Sequence, residues 1–270
     1  RTTGIFFMLI IDCEKCTACG ICETSCAFGA ISVQDNCAVV NEACTLCGAC
    51  VENCPVEALR IDIAEKRSQA DAGDYQGILV FAEYRHGKVA PVSFELLGIG
   101  RKLADQRGSR LSAVLLGGAV QGYASDLIAA GADRVLLAEH PELEQFREDI
   151  YAAILERVIG EHKPEVVLAG ATAIGRSVIP YVATAINAGL TADCTRLEIR
   201  ASDGMLLQTR PAFGGNIMAT IECPNTRPQM ATVRPKVMAP AQPDPSRTGE
   251  VVSIDLPATL LQSRLEVKET

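Results

Sequence analysis

The sequence predicts an α/β protein in which a small, cysteine-rich α+β domain precedes a larger domain built on a parallel sheet. Ten of the twelve cysteines fall within the first 54 residues. From residue 77 onward, short apolar runs alternate with longer amphipathic stretches, which is typical of strands and helices in a parallel sheet covered on both faces. The stretch between these parts, residues 64–77, is polar and without apolar periodicity, as expected of a linker.

Composition and charge exclude several classes of protein. A chain of 270 residues with 48% hydrophobic content can bury the cores of two domains. The longest apolar run, "IFFMLII" at 5–11, is only about a third of the roughly 20 residues that a spanning helix needs. We therefore expect no membrane span, no secretory signal and a cytoplasmic protein with reduced thiols. Residues 1–65 carry nine acidic and three basic side chains, so nucleic acid is not an expected partner.

Eight of the cysteines belong to a sequence repeat. "CTACGICETSCAFGAI" at 16–31 and "CTLCGACVENCPVEAL" at 44–59 align without gaps at an offset of 28. Cys13 and Cys37 have no cysteine counterpart in the other copy, which predicts that they are not ligands. Cys16, Cys19, Cys22 and Cys26 align with Cys44, Cys47, Cys50 and Cys54.

The spacing of each copy, C-x2-C-x2-C-x3-C, suits an iron–sulfur cluster, because three close thiolates can hold three corners while the fourth reaches another cluster. Zinc is the weaker alternative, since structural zinc sites usually combine two pairs of ligands from separate segments. Residues 8–64 resemble the bacterial two-cluster ferredoxins; one departure is Ala27, which stands where the second copy has the family's proline, Pro55. The resemblance implies one 4Fe-4S cluster on Cys16, Cys19, Cys22 and Cys54, and another on Cys44, Cys47, Cys50 and Cys26.

The remaining cysteines receive structural interpretations. We expect Cys13 and Cys37 to be spare thiols beside the clusters, with a ligand-swapping role as the alternative. Cys194 and Cys223 are expected to be small, buried apolar side chains. A module of about 60 residues buries little core, so the clusters should also act as internal staples.

The larger domain is predicted element by element. Strands are expected at "GILVFAE" from 77, "SAVLLG" from 112, "DRVLLAEH" from 133 and "EVVLAGA" from 165. Helices are expected at 93–106, 123–130, 145–160 and 175–188. Strand-like segments "LLQTRPAF", "NIMATIEC" and "QMATVRP" follow close together.

Two motifs in this domain could bind a ligand. "GATAIGR" at 170–176 follows a strand and opens a helix, which suits an anionic or nucleotide ligand, although such turns often serve only tight packing. "RPAFGGN" at 210–216 offers Arg210 and two flexible glycines, for which a structural role is an equal alternative. No Walker loop occurs, and nothing places His86, His140 or His162 with a nucleophile, so we predict no catalytic residues.

These segments, with "LTADCT" and "VFAEYRHGKVAPVSFELLGIGRKLAD", resemble the α subunit of electron-transfer flavoproteins over residues 77 to about 240. The resemblance implies an adenine-nucleotide-hydrolase-like, Rossmann-like α/β fold. It also implies a C-terminal domain with its own FAD, which we expect to lie outside this sequence, after Thr270. The predicted domains are a ferredoxin domain at 1–65, a linker at 66–76, the α/β domain at 77–240 and a hinge at 241–270.

With its ferredoxin module, the chain is similar to the α subunits of flavin-based electron-bifurcating complexes. That resemblance implies a heterodimer with a β subunit whose FAD takes hydride from NADH. One electron would pass to an acyl-CoA or hydroxy-acid dehydrogenase and the other to a low-potential ferredoxin. Arg176 and Arg210 are the candidates for facing the β-subunit flavin; ion pairing at the interface is the alternative. A non-bifurcating electron carrier with an accessory relay is the alternative function.

Overall fold

The computed structural model describes residues 8–62 except 42 and 46, residues 72–265 except 216, and residue 267. The chain divides into two compact units between residues 69 and 70. The segment before Met8 and most of the predicted linker at 66–76 lie outside the described residues.

The described part of the smaller unit has four short strands, which lie before, between and after the two cysteine copies. Strand β1 (Met8–Ile11) and helix α1 (Ile21–Ser25) are followed by the hairpin of β2 (Ile31–Gln34) and β3 (Cys37–Val40), then by α2 (Ala49–Glu52) and β4 (Leu59–Asp62). Strands β1 and β4 pair antiparallel, as do β2 and β3. The strand before the first cysteine copy thus pairs with the strand after the second copy, which brings the two ends of the module together.

The described part of the larger unit contains a sheet of seven parallel strands, a separate three-stranded antiparallel sheet and a two-stranded hairpin. The strands, in chain order, are β5 (Ile78–Ala82), β6 (Tyr84–Arg85), β7 (Lys88–Val89), β8 (Leu111–Gly117), β9 (Arg134–Glu139), β10 (Val166–Gly170), β11 (Gly189–Cys194), β12 (Arg196–Ile199), β13 (Leu206–Ala212), β14 (Ile217–Ile221), β15 (Gln229–Val233) and β16 (Glu250–Ser253). The helices are α3 (Pro91–Arg107), α4 (Ala124–Ala129), α5 (Glu148–His162) and α6 (Ala173–Ala185). The large sheet has the order β11-β15-β10-β5-β8-β9-β16, and β12-β13-β14 form the antiparallel sheet.

Two cores cover the two faces of the large sheet. Along β5, Ile78, Val80 and Ala82 point into one core with α3 and α4, while Leu79 and Phe81 point into the other with α5 and α6. This alternation within a fully apolar strand is what a sheet buried on both sides requires. The predicted parallel-sheet fold class is confirmed.

The elements differ from the predicted ones mainly near the C-terminal end. Strands β11 and β12 were not predicted, and β15 lies inside the large parallel sheet between β11 and β10, not beside β13 and β14. Strand β16 falls within the predicted hinge, yet it pairs with β9 as the outermost strand of the sheet. Part of the segment predicted to be a hinge is therefore part of the α/β unit.

Candidate functional site

Within the described residues of the smaller unit, two cavities are each lined by four cysteines. One is bounded by Cys16, Cys19, Cys22 and Cys54, and the other by Cys26, Cys44, Cys47 and Cys50. In each set, three thiols come from one copy of the repeat and the fourth comes from the other copy. These are the two sets of four that the ferredoxin resemblance implies.

Local backbone geometry explains how three thiols of a copy converge. Gly20 and Gly48, in "CGIC" and "CGAC", precede α1 and α2 with φ of 75° and 84°. Such positive φ values favour glycine, because a Cβ would clash with the backbone. The turn lets the chain enter a short helix that carries Cys22 or Cys50 back toward the two preceding cysteines.

The fourth thiol of each copy is held by a matching turn. The Ala30 N–H donates to Cys26 Sγ at 3.3 Å, and the Ala58 N–H donates to Cys54 Sγ at 3.3 Å. The pKa of Cys26 is lowered chiefly by the Ala30 N–H. Burial would raise the pKa of Cys54, but backbone N–H groups, including that of Ala58, outweigh it and the pKa is lowered. Both cysteines are thus favoured as thiolates, the form that binds metal.

The thiols carried by the two short helices have the opposite tendency. Burial raises the pKa of Cys22 and of Cys50 above the ordinary value. None of the described residues that line the two cavities carries a charged side chain; the walls include Leu9, Ile31 and Leu59. In the described part of the chain, no three His, Cys, Asp or Glu side chains form a site for a single metal ion. Four thiols around an apolar space fit the donor set of a 4Fe-4S cluster.

The expectation of spare thiols at Cys13 and Cys37 is corrected. Neither residue lines either of the two thiol-lined cavities, but the two form a disulfide with a Cα–Cα distance of 5.3 Å. Cys13 follows β1 and Cys37 opens β3. The repeat cannot reveal this pair, because it aligns the two residues with Asn41 and Glu65 and not with each other.

In the larger unit, the "GATAIGR" turn lies where β5 and β10 are neighbours and the sheet order reverses, the usual ligand position in such folds. Here the buried carboxylate of Glu83 accepts a hydrogen bond from Thr172 Oγ1 at 2.5 Å, and Thr172 in turn caps α6 by accepting from the Gly175 N–H at 3.0 Å. A Cβ on Gly175 would lie 1.9 Å from the Gly170 carbonyl oxygen. The Glu83 side chain therefore occupies the turn, and the glycine of the turn serves close packing.

Arg176 and Arg210 both lie near the end of β11. Arg176 is ion-paired with Asp193 at 3.0 Å, and Asp193 also binds Arg234 at 2.8 Å. Arg234 foremost, together with Arg176, holds the pKa of Asp193 below its usual value. Arg210, on β13, is half-buried and close enough to the neighbouring Cys194 to lower its pKa, although burial raises the pKa of that thiol to about 12 overall.

The guanidinium of Arg210 forms no ion pair within the described residues; its Nε donates only to the Pro211 carbonyl, at 3.4 Å. Sequence reasoning missed Asp193, Arg234 and Glu83, because no motif marks a partner that comes from another strand. Cys194 is fully buried, as predicted, whereas Cys223 is only half-buried.

A cavity of about 590 Å³ opens at the opposite, amino-terminal edge of the sheet, and Arg107, Arg110, Arg134 and His162 line it. Arg107 is paired with Glu165. Arg107 ends α3 and His162 ends α5, so both lie where the helix dipoles favour positive charge. Burial foremost, and then Arg134, lowers the pKa of His162. No helix in the described residues is long and apolar enough to cross a membrane.

Comparisons with known proteins agree with this combination of an iron–sulfur-type module and an α/β domain. A model of the electron transfer flavoprotein domain matches residues 78–259, and a model of the 4Fe-4S binding domain matches residues 38–60. The chain belongs to the electron transfer flavoprotein family and carries a 4Fe-4S binding domain.

Three relatives illustrate the range of similarity. The electron transfer flavoprotein subunit alpha of Thermoanaerobacterium thermosaccharolyticum is 50% identical over 182 residues, which is 67% of this chain and 55% of that protein. Lactate dehydrogenase (NAD(+),ferredoxin) subunit LctC of Acetobacterium woodii is 40% identical over 244 residues, 90% of this chain and 58% of that protein. The acryloyl-CoA reductase electron transfer subunit beta of Anaerotignum propionicum is 45% identical over 197 residues, 65% of this chain and 54% of that protein. The chain spans about half the length of the curated relatives it matches.

Proposed function

We propose that the chain is the electron-transfer subunit of a flavin-based electron-bifurcating complex and relays single electrons toward a low-potential ferredoxin. The observation that carries the proposal is the pair of cavities, each lined by four thiols drawn from both copies of the repeat. We assign Cys16, Cys19, Cys22 and Cys54 to one 4Fe-4S cluster and Cys26, Cys44, Cys47 and Cys50 to the other. When bound, such clusters carry one electron at a time.

The residues around the thiols would then have two roles. The N–H groups of Ala30 and Ala58, which donate to Cys26 and Cys54, stabilise negative charge on those sulfurs. The apolar walls lower the local dielectric beside the thiols, which disfavours added charge. The first effect raises the reduction potential and the second lowers it, so the balance of the two sets the potential of each site.

We propose that Arg210 faces the FAD of an electron-transfer flavoprotein β subunit. The Arg210 guanidinium is half-buried, and no carboxylate among the described residues pairs with its positive charge. It can therefore favour negative charge on a nearby flavin ring. The argument for Arg176 is weaker, because Arg176 forms an ion pair with Asp193. We assign Arg176 to the same flavin-facing surface. NADH would be the hydride donor in that complex.

The names of two relatives support the two electron acceptors of the proposed complex, a ferredoxin and a high-potential dehydrogenase. LctC is a subunit of a lactate dehydrogenase that uses NAD(+) and ferredoxin, and its similarity covers 90% of this chain. The relative from Anaerotignum propionicum transfers electrons for an acryloyl-CoA reductase. We therefore propose a hydroxy-acid or acyl-CoA dehydrogenase as the high-potential partner.

A non-bifurcating carrier is the second candidate. It is supported by the relative at 50% identity that is named only as an electron transfer flavoprotein subunit alpha and matches 67% of this chain. The assay that separates the two measures NADH oxidation by the complex with each acceptor alone and with both. Bifurcation requires both acceptors at once, whereas a carrier oxidises NADH with one.

Iron content tests the ligand assignment. Protein prepared without oxygen should contain about eight irons and eight sulfides per chain. Cys54→Ser should lower both counts toward about four, because it removes a thiolate from one cluster only. Cys223→Ser, in the larger unit, is the matched control and should leave the counts unchanged. About four irons in the unaltered protein would contradict the two-cluster assignment.

A further inference from the structure

The two cysteines that the repeat leaves out of the ligand sets meet each other. Cys13 and Cys37 form a disulfide between residues 24 positions apart, and neither contributes to a thiol-lined cavity. The Cys13 residue is exposed and Cys37 is half-buried. The bridge therefore includes one exposed residue and lies at the surface of the smaller unit.

The bridge joins two walls of the same cavity. Cys13 lies three residues before Cys16, whose backbone N–H donates to the Asp12 carbonyl at 3.0 Å. Cys37 begins β3, whose next residue, Ala38, lines the cavity of Cys16 together with Val33 of β2. The disulfide thus ties the segment that enters the Cys16 loop to the hairpin that closes the other side.

The exposure of Cys13 indicates that the Cys13–Cys37 disulfide is more than a static crosslink. In a reducing compartment, a disulfide persists only if it is hard to reach or if it is meant to open and close. An exposed sulfur allows attack by a thiolate, so the exposure of Cys13 favours the second behaviour.

We propose that Cys13–Cys37 is a thiol–disulfide exchange site whose reaction partner is a dithiol, either a small molecule or a protein of the thioredoxin class. A thiolate of the partner attacks one sulfur of the bridge, and a mixed disulfide forms as the other sulfur leaves as a thiolate that takes a proton. The second thiol of the partner then displaces the remaining sulfur. The chain gains two thiols, and the partner becomes the disulfide.

Opening the Cys13–Cys37 disulfide should affect only one of the two thiol sets. Opening the bridge releases the segment before Cys16 from the hairpin, so the Cys16, Cys19, Cys22 and Cys54 set should hold its iron less firmly. The Cys26, Cys44, Cys47 and Cys50 set has no such crosslink and should not change. This consequence rests on the proposed two-cluster function, whereas the bridge itself does not.

The first test is thiol labelling of the full chain, prepared without oxygen and alkylated with iodoacetamide under denaturing conditions. We expect mass spectrometry to find Cys13 and Cys37 joined and unlabelled, while the other ten cysteines are labelled. After incubation with dithiothreitol, both should be labelled. Labelling of both before reduction would overturn the proposal, and this readout does not depend on how many irons the chain holds.

The second test follows iron release to a ferrous-iron chelator. In the unaltered chain, dithiothreitol should accelerate release of about half of the iron at least about threefold, as loss of a crosslink predicts. The double variant Cys13→Ser/Cys37→Ser should release that half at the faster rate with or without dithiothreitol. Cys223→Ser, in the other unit, should behave like the unaltered chain. Equal rates for the oxidised chain and the double variant would overturn the proposed role, and a wrong total iron count would instead overturn the two-cluster function.

Discussion

Ala27 departs from the ferredoxin pattern, yet the turn that it begins matches its counterpart. The Gly29 N–H donates to the Cys26 carbonyl at 3.2 Å, and the Glu57 N–H donates to the Cys54 carbonyl at 3.2 Å, at the same offset of 28. The turn is therefore set by its hydrogen bonds and by the thiol contact that follows, and a proline is not needed to form it.

This geometry predicts that Ala27→Pro is tolerated. Cys26 has φ −89° and ψ 103°, the extended conformation that a residue before proline prefers. A proline that fits its site stabilises a protein by about 0.4–1 kcal/mol, because it restricts the unfolded chain. We expect unchanged iron content and a gain of that size in chemical unfolding of the full chain.

Pro55→Ala is the reciprocal control and should lose a similar free energy while keeping its iron. A loss of iron from Ala27→Pro would show that the two turns differ when the cluster is bound.

At the scale of elements, Asp133 holds the outermost strand to the sheet. It lies between β9 and the segment before β16, where its carboxylate binds Arg101 and Arg247, each at 2.8 Å, and accepts from the Leu111 N–H at 2.9 Å. Although burial alone would raise it, the pKa of Asp133 is lowered by the Leu111 N–H and by the two arginines. One side chain thus connects α3, β8 and the chain that leads to β16.

We expect Asp133→Asn to reduce the free energy of unfolding by about 1–2 kcal/mol at pH 7, since two partly exposed ion pairs and one hydrogen bond are weakened. A lowered pKa contributes stability above the ordinary pKa of about 4, and that contribution is lost as pH falls through the folded-state pKa. The difference between the variant and the unaltered chain should therefore shrink below about pH 4. Urea unfolding followed by helical ellipticity, which the larger unit dominates, measures it.

Asp105→Asn is the matched control, because Asp105 binds the same Arg101 at 2.8 Å from an exposed position. Its effect should stay below about 0.5 kcal/mol. A difference between Asp133→Asn and the unaltered chain that persists unchanged into acid would contradict the assignment to this carboxylate.

The elements also show what a sequence can predict. The strands and helices of residues 78–185 follow their apolar periodicity closely, and the cysteine repeat predicts the residues that line both cavities. Strand β11 was missed because "GLTADC" alternates weakly, and its place beside β15 depends on pairing distant in sequence. For the same reason the Cys13–Cys37 bridge and the Asp193 ion pairs could not be predicted, since each joins segments that no local pattern connects.

At the scale of the whole molecule, the chain consists of two units with separate cores. The core of the smaller unit includes Cys22, Ile31, Ala38 and Leu59, and the cores of the larger unit lie on the two faces of its sheet. A change at a thiol of the smaller unit therefore leaves the apolar contacts of the larger unit intact. In the proposed function, this allows the electron relay to be disabled without loss of the flavin-facing surface.

We therefore predict that Cys50→Ser, in a full complex with the β subunit, abolishes NADH-driven reduction of external ferredoxin while assembly and flavin content are retained. Cys50 lines the second cavity from α2, and serine removes one thiolate of that set. The assay couples NADH to ferredoxin in the presence of the high-potential acceptor, beside a reaction with an artificial flavin oxidant that bypasses the module. Cys223→Ser, in the larger unit, is the matched control and should keep both activities. If Cys50→Ser still reduces ferredoxin at the unaltered rate, electrons reach ferredoxin by a route outside this module and the relay proposal is wrong.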